Sequence, residues 1–188
     1  MEQLVKLARK TIEGFFKTKK LVIIQNNKFK EKRGVFVTID TYPENELRGC
    51  VGFSDPIYSV NEAVQRAAVE AAFHDGRFLP LKKEELANIV FEVSLLSLSE
   101  EIKETPEKIM GKIKEGDGLI IECGMRKGLF LPQVWEQIPD KKQFLEQLCW
   151  KAGLTPDYIL DKSTKLYKFN VKAFKETKPK GKVIEVKI

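Results

Sequence analysis

This sequence has few of the residues that usually announce a chemistry, and each shortage removes a class of function. Its three cysteines, Cys50, Cys123 and Cys149, lie scattered with no CxxC pair. That argues against a disulfide framework and fits free thiols in a reducing compartment. His74 is the only histidine. A Cys3His zinc site would need all four residues without the close pairs from which structural zinc draws its ligands, so no metal is expected and no cofactor is indicated. Apolar runs such as Leu119 to Ile121 and Val93 to Leu96 fall far short of the ~20 residues that cross a bilayer. No basic-then-apolar leader precedes the first helix. The expectation is a soluble, cytoplasmic protein with no membrane partner. Walker loops, GxGxxG turns and HExxH helices are missing too, which leaves classical nucleotide and protease readings without support.

A chain of 188 residues with 43% hydrophobic content is long enough to bury ~70% of its unfolded surface without staples. The net charge of +6 is unevenly placed. Residues 171–188 hold six lysines against two glutamates, which accounts for +4 and leaves +2 on residues 1–170. Nucleic-acid affinity needs several phosphates met by one contiguous basic surface. The lysines read better as a solvated, lysine-rich end, and nucleic acid is not an expected partner.

Periodicity places the elements. Leu4, Ala8, Ile12 and Phe15 share one face of a helix over about 2–17. Val35 to Ile39 and Leu47 to Phe53 are β-branched and apolar around a turn-like Tyr42-Pro43-Glu44-Asn45, so they predict a hairpin. In its second strand alternation sends Leu47, Gly49, Val51 and Phe53 to the core and Arg48, Cys50 and Gly52 to the other face. Ser59-Val60-Asn61-Glu62 is a capping box opening an alanine-rich helix that ends at His74, before Asp75-Gly76. Ile89 to Leu96 alternates as a strand with Glu92 and Ser94 on one side. Thr105-Pro106 resembles a helix start, and a second hairpin spans 119–131. Lys141 to Ala152 is helical with Gly153 as its C-cap, before strands near 166–171 and 183–186. Hairpins with few helices predict an α+β fold.

Leu47-Arg48-Gly49-Cys50-Val51-Gly52 resembles the LRGC[IV]G signature of the AMMECR-type domain family. Asp75-Gly76-Arg77-Phe78 is similar to that family's DPRF and Glu92-Val93-Ser94 to its EVS strand. Asp117-Gly118-Leu119 and Gly128 to Val134 are similar to its DGL and GLxLPQV segments, and Phe144 to Leu154 to its FLxxLCxKAGL helix. The likeness runs in order over about 35–170. It implies one domain over 1–188 in which two tightly packed subdomains share a cleft around a central antiparallel sheet with flanking helices, the signature strand lying beside the cleft. It also implies a pathway shared with Memo-type and radical SAM proteins, and it implies no particular reaction. The family's proline stands at position 76, where this chain has Gly76.

The candidate catalytic residues are Cys50, His74 and Glu92. Cys50 offers a thiol that would become a nucleophile if a cation such as Arg48 lowered its pKa, or else it is a small buried hydrophobe. His74 is either the one histidine base or a helix C-terminal cap. The candidate substrate-binding residues are Arg48, Gly49, Gly52, Arg77 and Ser94. Arg48 and Arg77 suit a bidentate grip on an anionic small molecule, or pairing with carboxylates such as Glu92 or Asp75. Gly49 and Gly52 suit backbone approach to a ligand, which tilts Arg48 toward the ligand role, or serve a bulge. Glu92 and Ser94 suit holding a water or a substrate hydroxyl if their strand borders the signature strand. Trp135 and Trp150 read as core and rim. Two functions follow: a small-molecule enzyme or accessory subunit around Arg48 to Gly52, or a non-catalytic module that presents this surface to a protein or nucleic acid.

Overall fold

The computed structural model describes residues 1–104 and 106–187. Its helices and strands run, in chain order, α1 (Glu2–Thr18), β1 (Val35–Thr41), β2 (Leu47–Phe53), α2 (Val60–Phe73), β3 (Ile89–Leu96), β4 (Glu100–Glu101), α3 (Pro106–Lys112), β5 (Gly118–Cys123), β6 (Arg126–Phe130), α4 (Lys141–Lys151), β7 (Lys165–Phe169), β8 (Val171–Glu176) and β9 (Val183–Val186). Short 3-10 helices cover Lys83–Asn88, Pro132–Glu136 and Pro156–Leu160. Thr105, half of the expected helix start, lies outside the described residues. The fold is α+β. Its strands form two sheets, one five-stranded in the order β2-β1-β3-β8-β9 and one four-stranded in the order β4-β7-β5-β6, and they fall into two compact units.

The first unit comprises Met1–Leu96 and Lys172–Lys187. One face of its sheet carries Val35, Val37, Ile39, Phe91, Val93 and Leu95, buried under Leu4, Ala8 and Ile12 of α1 and Val64, Ala67 and Ala71 of α2. Each large apolar side chain so covered is worth roughly 1.5–3 kcal/mol. The small residues of α2 let that helix lie close to the strands. Ser59 caps it by accepting from the Glu62 amide at 3.3 Å, while the Glu62 carboxylate accepts from Arg66 instead of closing the capping box. Arg9 of α1 reaches through this core to Glu176 at the end of β8 and also donates to the Leu86 and Ile89 carbonyls.

The lysine-rich end is therefore not a solvated tail through residue 176. β8 is an interior strand of the sheet, with Ala173 and Glu176 buried and Lys175 bonded to Asp40 at 2.7 Å. Tertiary pairing overrides composition here.

The second unit spans Ser97–Val171. Leu119, Ile121 and Leu166 of its sheet pack beneath Ile109, Ile113, Phe144, Leu145 and Leu148. Trp135 stacks on Phe144 with ring centroids 3.8 Å apart, and its indole N–H donates to the Asp117 carbonyl at 2.8 Å. Asp140 caps α4 by accepting from the Gln143 amide, and Gly153 takes the left-handed conformation just beyond the helix. Among the described residues no helix is long and apolar enough to cross a membrane.

Candidate functional site

The signature strand is the outer strand of the first sheet. β1 and β2 form the expected hairpin with Thr38 opposite Cys50, and the turn uses Asn45 at positive φ, which asparagine tolerates. An edge strand presents unpaired amides and carbonyls, and at Cys50 these are occupied by side chains from the segment that follows α2. The Cys50 amide donates to Asp75 Oδ2 at 2.9 Å, and its carbonyl accepts from Arg77 Nη2 at 3.2 Å. Asp75 and Arg77 grip each other through two bonds of 2.9 and 2.7 Å. The pair thus mimics one more strand. Hydrogen bonds from Arg77, helped by the Cys50 amide and opposed by burial, hold the Asp75 carboxyl well below the usual carboxylate range.

Arg48 sits at an irregularity in the ladder, where Ile39 pairs with Gly49 but Asp40 pairs with Leu47. The extra residue bends the strand locally, and Leu47, expected in the core, is 42% exposed. The Arg48 fork holds Glu85 of the 3-10 helix at 2.7 and 3.3 Å and donates to the Leu79 carbonyl at 2.9 Å. An internal carboxylate fills the grip that the sequence offers to a ligand, and it is Glu85 rather than Glu92 or Asp75. The cation that acts on Cys50 is Arg77 rather than Arg48.

The sheet face opposite the helices carries the remaining polar groups. Thr38 on β1 is the cross-strand partner of both Cys50 on β2 and Glu92 on β3. The Glu92 strand therefore does not border the signature strand, because β1 lies between them. Thr38 Oγ1 donates to Cys50 Sγ at 3.3 Å, and Ser94 Oγ donates to Glu92 Oε1 at 3.4 Å. Burial pushes the Cys50 thiol up against the opposing pull of Thr38 and Arg77, so it rests as a protonated thiol. Burial also pushes the Glu92 carboxyl up; Lys175 and Ser94 oppose this and Asp40 adds to it. Such an acid can hold its proton nearer neutrality than an ordinary glutamate does.

Gly49 and Gly52 open no room for a ligand. A Cβ at Gly49 would run into the Ala71 carbonyl of α2, and one at Gly52 into the Val35 carbonyl and the Phe36 ring. These glycines serve close packing. His74 is the C-cap that follows α2, and its exposed ring pairs with Glu70 at 3.1 Å; among the described residues no hydrogen bond ties it to Cys50 or Glu92. Ser94 is buried beside Glu92. The structure adds Thr38, Asp40, Glu85 and Lys175 to the residues expected from sequence. Thr38 had a signal, since its place in the hairpin sets it opposite Cys50, whereas the other three reach the site only through tertiary pairing. Among the described residues no three His, Cys, Asp or Glu side chains group to hold a metal ion, and the three cysteines are free thiols.

Comparison with known proteins gives these residues a family. Protein MJ0810 of Methanocaldococcus jannaschii is 47% identical over 188 residues, covering 98% of this chain and 94% of its own. A protein of Aquifex aeolicus is 40% identical over 196 aligned positions, covering 100% of this chain and 98% of its own. The crystal structure of uncharacterized protein PH0010 from Pyrococcus horikoshii is similar with a TM-score of 0.89 at 46% identity, covering 100% of this chain and 96% of that one. The family model described as AMMECR1 matches residues 5–174. With its signature strand, the Asp75–Arg77 clasp on that strand and this match along most of its length, the chain belongs to the AMMECR1 family.

Proposed function

We propose that this protein binds a small molecule on the polar face of its five-stranded sheet, as an enzyme or as the accessory subunit of one, with Glu92 as the proton-exchanging group. The observation that carries this reading is the row Cys50, Thr38 and Glu92, which sets a neutral thiol and a carboxyl raised by burial on either side of Thr38 along three adjacent strands. A carboxyl raised toward neutrality can take a proton from a bound hydroxyl or an acidic C–H and return it. Cys50 then serves as a hydrogen-bonding thiol rather than a resting thiolate, because thiolate chemistry needs a lowered pKa. Arg77, 56% exposed at its side chain, is the cation open to an anionic substituent of the substrate. Arg48 acts as a positioning residue through Glu85.

A non-catalytic interaction module is the rival, favoured by one observation: both arginines are held by internal carboxylates. Native mass spectrometry after incubation with a small-molecule cell extract separates the two. The expected result is a discrete adduct on the wild-type chain that is lost in Glu92→Gln, with both proteins folded by circular dichroism. An adduct that persists in Glu92→Gln removes that residue from the site, and a wild-type chain that takes up nothing favours the module.

A further inference from the structure

The second unit holds a cavity of about 740 Å³, within the range of small-molecule sites, roughly 300–1,000 Å³. All its lining residues lie between Glu101 and Leu166. Its floor is the buried side chains of Ile109, Ile121, Leu145 and Leu166, and Leu160 stands exposed at its lip. Such a floor suits an apolar body.

The mouth is charged, and its charges are unequally engaged. Glu104 pairs with Lys112 at 3.1 Å, and Asp161 accepts from the amide and the hydroxyl of Ser163, both at 2.7 Å. Lys103, Lys162 and Lys165 also line the cavity and make no ion pair among the described residues, against the carboxylates of Glu101 and Asp161, the latter still charged because its donors are neutral. Among the described residues the unpaired lining charges are three lysines against two carboxylates, a net of +1. Thr164 lines the same cavity, and its Oγ1 is buried with no hydrogen-bond partner among the described residues. Buried hydroxyls are nearly always satisfied, so an acceptor entering the cavity would complete this one.

We propose that this cavity binds an amphipathic carboxylate: an aliphatic or aromatic body lying on the isoleucine and leucine floor, with its carboxylate at the lysines of the mouth. Apolar walls with a few convergent polar groups are the pattern of such sites, and the unengaged lysines set the sign of the head group.

The test uses the full chain with 8-anilinonaphthalene-1-sulfonate, an apolar body with one fixed negative charge, and decanoate as competitor. Saturable fluorescence enhancement displaced by decanoate is expected, with decan-1-ol far weaker. Lys162→Glu combined with Lys165→Glu, both on exposed side chains, is expected to weaken the probe roughly tenfold, about 1.4 kcal/mol. Lys10→Glu on α1 should leave it unchanged. Carbon-13 methyl NMR supplies an independent readout, since decanoate should shift the Ile109 and Ile121 methyl signals. Unsaturable fluorescence, displacement by decan-1-ol as strong as by decanoate, an unchanged double variant, or unmoved Ile109 and Ile121 methyls would each overturn the assignment.

Discussion

Replacing Arg48 with alanine in the ligand-free protein removes the fork that holds Glu85 and the donor to the Leu79 carbonyl. Were this pair fully buried, breaking it would cost about 3–5 kcal/mol, mostly for the stranded charge. It is less buried than that, with side chains 16% and 32% exposed for Arg48 and Glu85. The abandoned carboxylate also keeps the Lys82 amide at 2.7 Å. Water can reach what the arginine leaves, so the loss should shrink to about 1–3 kcal/mol. At roughly 2–4 °C per kcal/mol for a chain of this size, a thermal melt at neutral pH should fall by roughly 2–12 °C. The acid limb supplies the sign. Burial pushes the Glu85 carboxyl up, but bonds from Arg48 and the Lys82 amide outweigh it and hold the carboxyl below its ordinary value. A depressed carboxyl stabilises the fold above its unfolded pKa and loses that contribution as pH falls through its folded pKa. The gap between wild type and Arg48→Ala should therefore close in acid, and Arg48→Lys, which keeps the charge but not the fork, should recover only part of it. A gap under about 1 °C at neutral pH, or one that widens in acid, would refute the positioning role.

Arg9→Met leaves the Glu176 charge stranded where both side chains are almost wholly buried, 5% and 2% exposed. The expected loss is about 3–5 kcal/mol, seen as a midpoint roughly 6–20 °C lower; a drop of a degree or two would mean that water reaches the pair. Glu92→Gln tests the raised acid. A carboxyl whose folded pKa lies above its unfolded one stabilises the fold below the ordinary glutamate value and loses this as pH rises through the folded pKa. The variant should thus gain on wild type as melts are taken from about pH 4 to 8, and parallel curves would show that Glu92 is not raised. Gly49→Ala forces a methyl into the Ala71 carbonyl and should cost at least about 1–3 kcal/mol. Gly76→Ala, where a Cβ meets nothing within 4 Å, should instead gain about 0.4–1 kcal/mol; denaturant titration of the two should give opposite signs.

Local rules carried the elements. Periodicity of two laid out the 35–39 and 47–53 hairpin, and periodicity near 3.6 laid out α1, α2 and α4, because each depends on neighbours along the chain. β8 escaped that reading. Its lysines describe a solvated end by composition, yet the strand is covered on both sides, with Ala173 and Glu176 buried on opposite faces, and only the partner strands decide that. A bulge was one reading of Gly49 and Gly52, but its place at Arg48, which turned Leu47 outward, came only with the pairing to β1.

At the site, the sequence by itself determined which chemical groups are present and which of them share a face. Arg48 and Cys50 belong to one stretch of strand, Glu92 and Ser94 to another, and Asp75 and Arg77 to the turn after α2. The tertiary structure decided how these groups are spent. It put Glu85 in the Arg48 fork, clasped Asp75 and Arg77 onto the Cys50 backbone, filled the space beside Gly49 and Gly52 with Ala71 and Phe36, and made Thr38 the bridge between Cys50 and Glu92. The reason is physical: alternation along a strand fixes a side chain's direction from its immediate neighbours, whereas the partner of a charge and the solvent left around it depend on segments tens of residues away.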